Sequence, residues 1–124
     1  MNKDNILKFM IKIKRIYEPA SKEDGIRILV DRLWPRGITK EKARLDLWLK
    51  DVGPSDGLRK WYGHDPEKWP EFRRRYFREL EGKKELLDTI RAEAKKRKVT
   101  LLFGAKEEKF NQAEAIREYL KQYR

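Results

Sequence analysis

Charged and aromatic side chains directly follow an apolar run in the first third of the chain. Ile28-Leu29-Val30 leads into Asp31, Arg32, Trp34 and Arg36. This pattern is typical of a strand end in an α/β protein, where binding groups are held on a fixed backbone. Two guanidinium groups on one loop can bind a carboxylate or a phosphate through paired hydrogen bonds. The segment therefore predicts one wall of an anion-binding pocket, in which the Trp34 indole can stack on a ligand.

A structural interpretation of the same segment stays open. Asp31 would then pair with an arginine, and Trp34 would belong to the core. Pro35-Arg36-Gly37 would form a rigid turn.

Four further residues are candidates for the same pocket. His64 is the single histidine, and imidazole is the side chain most suited to proton transfer at physiological pH, so His64 is the best candidate for a catalytic acid or base that shuttles protons. Arg59 and His64 would come from the intervening loops, and Lys106 and Asn111 from a second wall. The Lys106 loop precedes a predicted helix, whose free amide groups attract anions. As ordinary surface loops, these segments would need no ligand.

Several familiar catalytic signatures are absent from the sequence. It contains no Gly-rich phosphate loop, no dinucleotide-binding turn and no serine nucleophile elbow. With no cysteine and one histidine, it also lacks the usual ligands of a zinc site. We therefore expect no cofactor and no metal, and the pattern is compatible with either an enzyme or a binding protein.

Two clusters of basic residues suggest an alternative function, the binding of nucleic acid through its phosphates. Helical spacing directs the first cluster, Arg74, Arg75 and Arg78, away from an apolar stripe on the same helix. The second cluster, residues 95–98, occupies the last turn of a helix, where cations are favoured in any case. Solvated surface charge is the simpler interpretation of both. The residues of this alternative are Arg74, Arg75, Arg78, Lys95, Lys96, Arg97 and Lys98.

Apolar spacing predicts four strands. Phe9, Ile11 and Ile13 alternate with Met10 and two lysines, which indicates a strand with one wet face. Residues 27–31 and 99–103 form continuous apolar runs, typical of strands buried on both faces. Alternating leucines predict a further strand over residues 45–49. The connection between the first two strands is short enough for a hairpin, so a mixed sheet stays open.

Capping residues and helical spacing predict five helices. Thr39, Ser55 and Asp65 can each cap a helix, and Pro66 suits the first helical position after Asp65. Two more helices are expected over residues 83–97 and 110–119. The sequence thus predicts an α/β fold, a single compact domain over residues 1–124. Its three- to four-stranded, mostly parallel sheet is flanked by helices, and residues 1–7 form a loose N-terminus.

Composition narrows the class of protein. The chain has 124 residues, of which 43% are charged, and a net charge of +11. Abundant lysine, arginine and glutamate resemble the composition of proteins from hot-growing organisms. The absence of cysteine and of a long apolar stretch favours a cytoplasmic protein without a membrane span. The charge excess raises the chance of a polyanionic partner.

The motifs together resemble those of the YeaO-like family, small bacterial and archaeal proteins classed as a domain of unknown function. The resemblance rests on the Asp-Arg-Leu-Trp-Pro-Arg-Gly string at residues 31–37 and on residues 45–50, 58–66 and 100–113. It implies a compact α/β fold and no established activity. Larger relatives in the broader grouping are expected to carry a Cys-His-Arg string after the last strand. Asn111-Gln112-Ala113 stands there instead, so their thiol chemistry does not transfer.

Overall fold

The structure is a computed structural model that describes residues 11–123. Phe9, Met10 and the N-terminus predicted to be loose lie outside the described residues. Within them, four strands alternate with five α-helices. The strands are β1 (Ile11–Arg15), β2 (Ile26–Leu29), β3 (Leu47–Trp48) and β4 (Val99–Phe103). The helices are α1 (Lys40–Ala43), α2 (Asp56–Tyr62), α3 (Trp69–Glu81), α4 (Lys84–Lys96) and α5 (Gln112–Gln122).

All four described strands run parallel, in the order β1-β4-β2-β3. Ile11 of β1 and Ile26 of β2 both pair with Val99, so the last strand in the chain lies between the first two. The hairpin alternative for β1 and β2 is therefore wrong, because they are not neighbours in the sheet. The predicted α/β class and mostly parallel sheet are confirmed.

Both faces of the central strands are buried, which explains their continuous apolar sequence. On one face, Leu101 and Phe103 of β4 pack in the main core with residues of α3, α4 and α5. On the other face, Leu102 packs against Leu29, Ile16 and Ala43 in a smaller cluster. Neighbouring positions on a strand point to opposite faces, so each residue of the run is buried on one side or the other.

A buried ion pair fixes the beginning of β2. Arg27 donates to an Asp24 carboxylate oxygen at 2.6 Å, and both side chains are almost fully buried. Lys14 of β1 reaches the same carboxylate at 3.1 Å. The Arg27 guanidinium also donates to the Ala43 carbonyl at 2.7 Å, which joins β2 to α1. Removal of one partner would leave an uncompensated buried charge.

Several predicted element boundaries differ from the structure, and three of the differences have a local cause. The strand predicted over 45–49 is only two residues long, because the Asp46 side chain accepts the Arg27 amide hydrogen at 2.8 Å and replaces a ladder bond. The helix predicted from Pro66 begins with a 3₁₀ turn, since Pro70 has no amide hydrogen to donate four residues back. The last helix begins at Gln112, not at residue 110, because Asn111 is its N-cap.

Candidate functional site

A cavity of about 390 Å³ opens at the carboxyl ends of β2 and β4. Its walls come from the loops after β1, β2 and β4, from α2 and its following turn, from α3 and from the beginning of α5. This is the edge at which open parallel sheets bind ligands. The predicted site residues that line it are Asp31, Arg32, Trp34, Arg36, Arg59, His64 and Asn111.

Asp31 contributes a carboxylate to the cavity wall. Its Oδ2 accepts the Gly104 amide hydrogen at 2.9 Å, and its Oδ1 accepts a hydrogen bond from the Gln112 side-chain amide. Desolvation raises the pKa of Asp31 to about 6, and the two hydrogen bonds offset this increase only in part. Among residues 11–123, no cationic side chain forms an ion pair with Asp31. Within this range, the Asp31–arginine pair expected in the structural interpretation is therefore not present.

Gly104 allows the β4 loop to approach Asp31 closely. A Cβ at this position would lie 2.9 Å from Asp31 Oδ2 and 3.1 Å from Pro35 Cβ. In the structure the space is taken by Asp31 and Pro35, because the Gly104 amide donates to the Asp31 carboxylate.

Arg32 is held by backbone carbonyl groups. Its Nε donates to the Pro54 carbonyl at 3.1 Å and its Nη2 to the Gly53 carbonyl at 3.0 Å. The Lys83 ammonium donates to the same Gly53 carbonyl at 2.8 Å. Burial and the nearby Arg32 charge lower the pKa of Lys83. The Arg32 Nη1 also lies 3.9 Å from Oδ1 of the exposed Asp51. Arg32 therefore contributes a fixed, partly compensated positive charge to the cavity, and part of its hydrogen-bonding capacity is already used.

Trp34 packs on the smaller core cluster. Its indole N–H donates to the Ile38 carbonyl at 2.8 Å, and its ring meets Trp48 edge to face at 5.4 Å. The indole lines the cavity, but its polar atom is already satisfied. Trp34 is thus an apolar wall of the cavity and not a hydrogen-bond donor to a ligand.

Arg36 and Arg59 are the cavity arginines with exposed side chains. The Arg36 backbone carbonyl accepts a 2.5 Å hydrogen bond from the Tyr17 hydroxyl, which ties the loop after β2 to the loop after β1. Within residues 11–123, no carboxylate pairs with the Arg36 guanidinium. Arg59 contacts Asp56 at 3.3 Å, and both side chains are well exposed. Solvent weakens such a pair, so Arg59 can exchange this partner for a ligand.

His64 stands at the rim of the cavity in an unusual backbone conformation. Its φ is +59° and that of the preceding Gly63 is +54°. Non-glycine residues rarely adopt positive φ, and such strain is common at functional sites. The imidazole is exposed and lies 6.3 Å, centre to centre, from the Tyr62 ring. Burial raises the pKa of Tyr62 to about 12, and its hydroxyl donates to the Phe110 carbonyl at 2.6 Å.

The second predicted wall is only partly present. Asn111 is buried, and its Oδ1 accepts the Glu114 amide hydrogen at 3.0 Å as the N-cap of α5. Its Nδ2 donates to the Glu107 carbonyl at 2.9 Å. Lys106 is exposed and is not among the residues that line the cavity. Of these two residues, only Asn111 lines the cavity, and its side-chain polar atoms already have backbone partners.

Several lining residues, Gln112, Tyr17 and Phe72 among them, were absent from the sequence-based site. Gln112 follows the Asn111 cap and reaches Asp31 across 81 positions of sequence. Tyr17 follows β1, and Phe72 belongs to the apolar stripe of α3. The first turn of α5 and the loop after β1 both lie at the carboxyl edge of the sheet. Their position after predicted strands is the signal that could have identified Gln112 and Tyr17.

The two basic clusters differ in how their charges are compensated. Arg74 and Arg75 both pair with Glu71 at 2.7 Å, and Arg75 also stacks over the Trp61 ring. Arg78 is exposed on the same helix. The second cluster is fully exposed and lies at the end of β4 opposite to the cavity. Its members are Lys95, Lys96, Arg97 and Lys98.

The described part of the chain lacks both a cluster of metal-binding side chains and a helix able to cross a membrane. Residues 11–123 contain no group of three or more histidine, aspartate or glutamate side chains positioned to hold a metal ion. None of the helices described is long and apolar enough to cross a membrane.

Comparison with known proteins decides the family. A family model described as the inactive DUF488-N3 subclade matches residues 10–123. The chain belongs to this family. The protein YeaO of Escherichia coli, described as uncharacterized, is 41% identical over 111 residues, which are 90% of this chain and 96% of YeaO. The predicted resemblance to YeaO-like proteins is confirmed.

Mycobacterial relatives match a shorter stretch. Uncharacterized proteins of Mycobacterium tuberculosis and Mycobacterium bovis are each 50% identical over 70 residues, 56% of this chain. The match spans 59% of the length of each of these relatives. No solved structure is significantly similar to the chain.

Proposed function

We propose that the protein binds a small organic anion, bearing a phosphate or a carboxylate, in the cavity at the carboxyl ends of β2 and β4. The observation that carries this proposal is the balance of charge on the cavity wall. Three arginines and one carboxylate line it, and the arginines come from two separate segments, the loop after β2 and helix α2. Arginine binds both phosphate and carboxylate groups through two parallel hydrogen bonds.

The three arginines contribute in different ways. Arg32 is fixed by the Gly53 and Pro54 carbonyl groups and supplies a positive charge that needs no rearrangement on binding. Arg36 and Arg59 are exposed and can turn toward an acidic group. Aromatic side chains, Trp34, Tyr62 and Phe72 among them, supply the apolar wall for the rest of the ligand. A mostly apolar cavity with a few directed polar groups is typical of small-molecule sites.

The chain supports binding of the anion better than it supports a catalysed reaction of the anion. The family is described as an inactive subclade, and the chain has no cysteine with which to perform thiol chemistry. His64 lines the cavity but has no carboxylate partner among the described residues to orient its ring. General-base catalysis usually depends on such a partner.

Thermal denaturation with simple anions tests the proposal. We expect ethyl phosphate, phenyl phosphate, propionate or benzoate to raise the Tm in a saturable manner. At 100 times its Kd, a ligand stabilises the native state by about 2.7 kcal/mol. For a domain of this size that corresponds to a rise on the order of 10 °C. Isothermal titration calorimetry then gives the Kd of each anion that raises the Tm.

A pair of double variants localises the binding. R36A/R59A should abolish the response to the anion, whereas R78A/R97A removes the same charge from exposed positions outside the cavity and should leave it unchanged. Equal loss in both variants would show that the anion responds only to net charge. A lack of response to all four anions in the unmodified protein would reject the proposed function.

A further inference from the structure

Asp31 is a half-buried carboxylate whose pKa is raised by desolvation. Its two oxygens accept hydrogen bonds from the Gly104 amide and the Gln112 side chain, and among residues 11–123 it has no cationic partner. Buried carboxylates are usually paired with a cation or a metal. The nearest arginine in sequence, Arg32, is turned toward Gly53 and Pro54 instead.

The Asp31 carboxylate retains capacity to bind a ligand. An ionised carboxyl group has about four acceptor positions, and the Gly104 and Gln112 hydrogen bonds occupy two of them. Asp31 also lines the cavity together with Arg36 and Arg59. The same small volume therefore presents cationic groups that attract an acid and one anionic group that attracts a base.

From this arrangement we propose that the cavity selects zwitterionic small molecules, in which the acidic group binds the arginines and a protonated amine binds Asp31. The inference rests on the proposed function and specifies its ligand class. An anion without an amine would leave Asp31 unpaired, whereas an ammonium group would compensate its charge. The aromatic rings of Tyr62 and Trp34 in the same wall favour a cation over a neutral donor.

Matched pairs of probes test this selectivity. Phosphoethanolamine and ethyl phosphate share a phosphate group and differ by the amine, as do β-alanine and propionate for a carboxylate. Calorimetry at pH 8 should give at least about tenfold tighter binding of the amine-bearing member of a pair, the effect of one charge-assisted hydrogen bond. Asp31→Asn should reduce this preference to less than about threefold. Asp88→Asn, an exposed change on α4, should leave the preference intact.

The results of these measurements separate the inference from the proposed function. Equal binding of ethyl phosphate and phosphoethanolamine, and of propionate and β-alanine, would overturn it while the proposed anion-binding function stands. Failure of all four compounds to bind would overturn both. An amine preference that survives in Asp31→Asn would assign the amine to another group and overturn the role of Asp31. The comparison of probes on the unmodified protein needs no variant, so it holds even if Asp31→Asn folds poorly.

Discussion

Asp31 makes the fold less stable at neutral pH than an uncharged residue in its place would. Burial raises the pKa of its carboxyl group from 3.8 to about 6, because desolvation disfavours the charged form. For an acid whose pKa is higher in the folded state than in the unfolded state, the free energy of unfolding falls as the pH rises past the unfolded-state pKa, and the loss is complete above the folded-state pKa. The carboxylate is therefore a cost to stability that a binding role would justify.

Asp31→Asn should raise stability at pH 8 by on the order of 2 kcal/mol. Between pH 3.8 and about 6 the unfolded chain loses the Asp31 proton while the folded chain retains it. The free energy of unfolding of the unmodified protein thus decreases over this window. The variant lacks this loss, so its advantage should be complete above about pH 6 and disappear toward pH 4. Urea denaturation from pH 4 to pH 8 measures the difference.

Glu85→Gln is the control for this measurement, since Glu85 is exposed on α4 and forms no ion pair among residues 11–123, so this variant should show no comparable pH-dependent gain. A stability difference between Asp31→Asn and the unmodified protein that stays constant from pH 4 to pH 8 would show that Asp31 ionises normally. The role of Gln112 can be retained in the variant, because its side-chain amide can turn to accept from Asn.

At the residue scale, the sequence predicted which residues line the cavity better than it predicted the contacts that their side chains make. The segment from Asp31 to Arg36 was predicted as one wall, and its residues line the cavity. Arg32, Trp34 and Asn111, however, use their polar atoms on backbone groups. Sequence spacing cannot show this, because the acceptor carbonyls come from turns whose geometry depends on the packed fold. The Gln112 contact with Asp31 depends in turn on β4 lying beside β2.

At the scale of elements, Gly25 determines how β2 enters the sheet. Its backbone has φ +64° and ψ −133°, and an added Cβ would lie 2.1 Å from the Lys98 carbonyl oxygen. The same carbonyl accepts the Ile26 amide hydrogen at 2.9 Å. The Gly25 backbone therefore lies in close contact with Lys98, the residue that precedes β4, and only glycine fits at this position.

Gly25→Ala should destabilise the protein by on the order of 3 kcal/mol, through backbone strain and a clash with backbone atoms that cannot move away cheaply. Gly57→Ala is the matched control. Gly57 lies in α2 with nothing within 4 Å of its added Cβ, so alanine should stabilise the helix by about 0.5–1 kcal/mol. Chemical denaturation of both variants measures the contrast, and a similar small effect in the two would contradict the role assigned to Gly25.

Most elements were predictable because local signals specify them. Thr39, Ser55 and Asp65 all cap their helical segments as expected, and Gly63 ends α2 in the left-handed conformation. The order of the strands was not predictable. Apolar runs show that a strand is buried, but they do not show which strand lies next to it, and here β4 separates β1 from β2.

At the scale of the whole molecule, exposed positive charge is found at both ends of the sheet. The cavity with its arginines lies at the carboxyl end of β4, and Lys95 to Lys98 lie near the amino end. Arg74 and Arg75 share the Glu71 carboxylate, which compensates one of their two charges. Among residues 11–123, residues 95–98 form the longest unbroken run of exposed cationic side chains, so we expect a polyanion attracted by the net charge of +11 to contact this cluster.

We expect weak, sequence-independent binding of a DNA duplex at 25 mM salt, with affinity falling steeply as salt rises. Replacing residues 95–98 with alanine should reduce the slope of log K against log salt by about 3 to 4, because each neutralised phosphate contributes about 0.9. R36A/R59A should leave the slope nearly unchanged. Fluorescence anisotropy measures both, and no binding at 25 mM salt would eliminate nucleic acid as a partner.

The position of β4 also governs the time course of folding. Among the described strands, β1 finds its neighbour only when Ile11 pairs with Val99, and β2 otherwise has just the two-residue ladder with β3. Long-range parallel pairing of this kind forms slowly, because the loop between the partners must be closed before the contacts form. During synthesis, the apolar run at residues 28–30 therefore lacks β4 as its neighbour until residues 99–103 have been added. A chain that ends before residue 99 lacks β4 and therefore retains, among the described strands, only the pairing of β2 with β3.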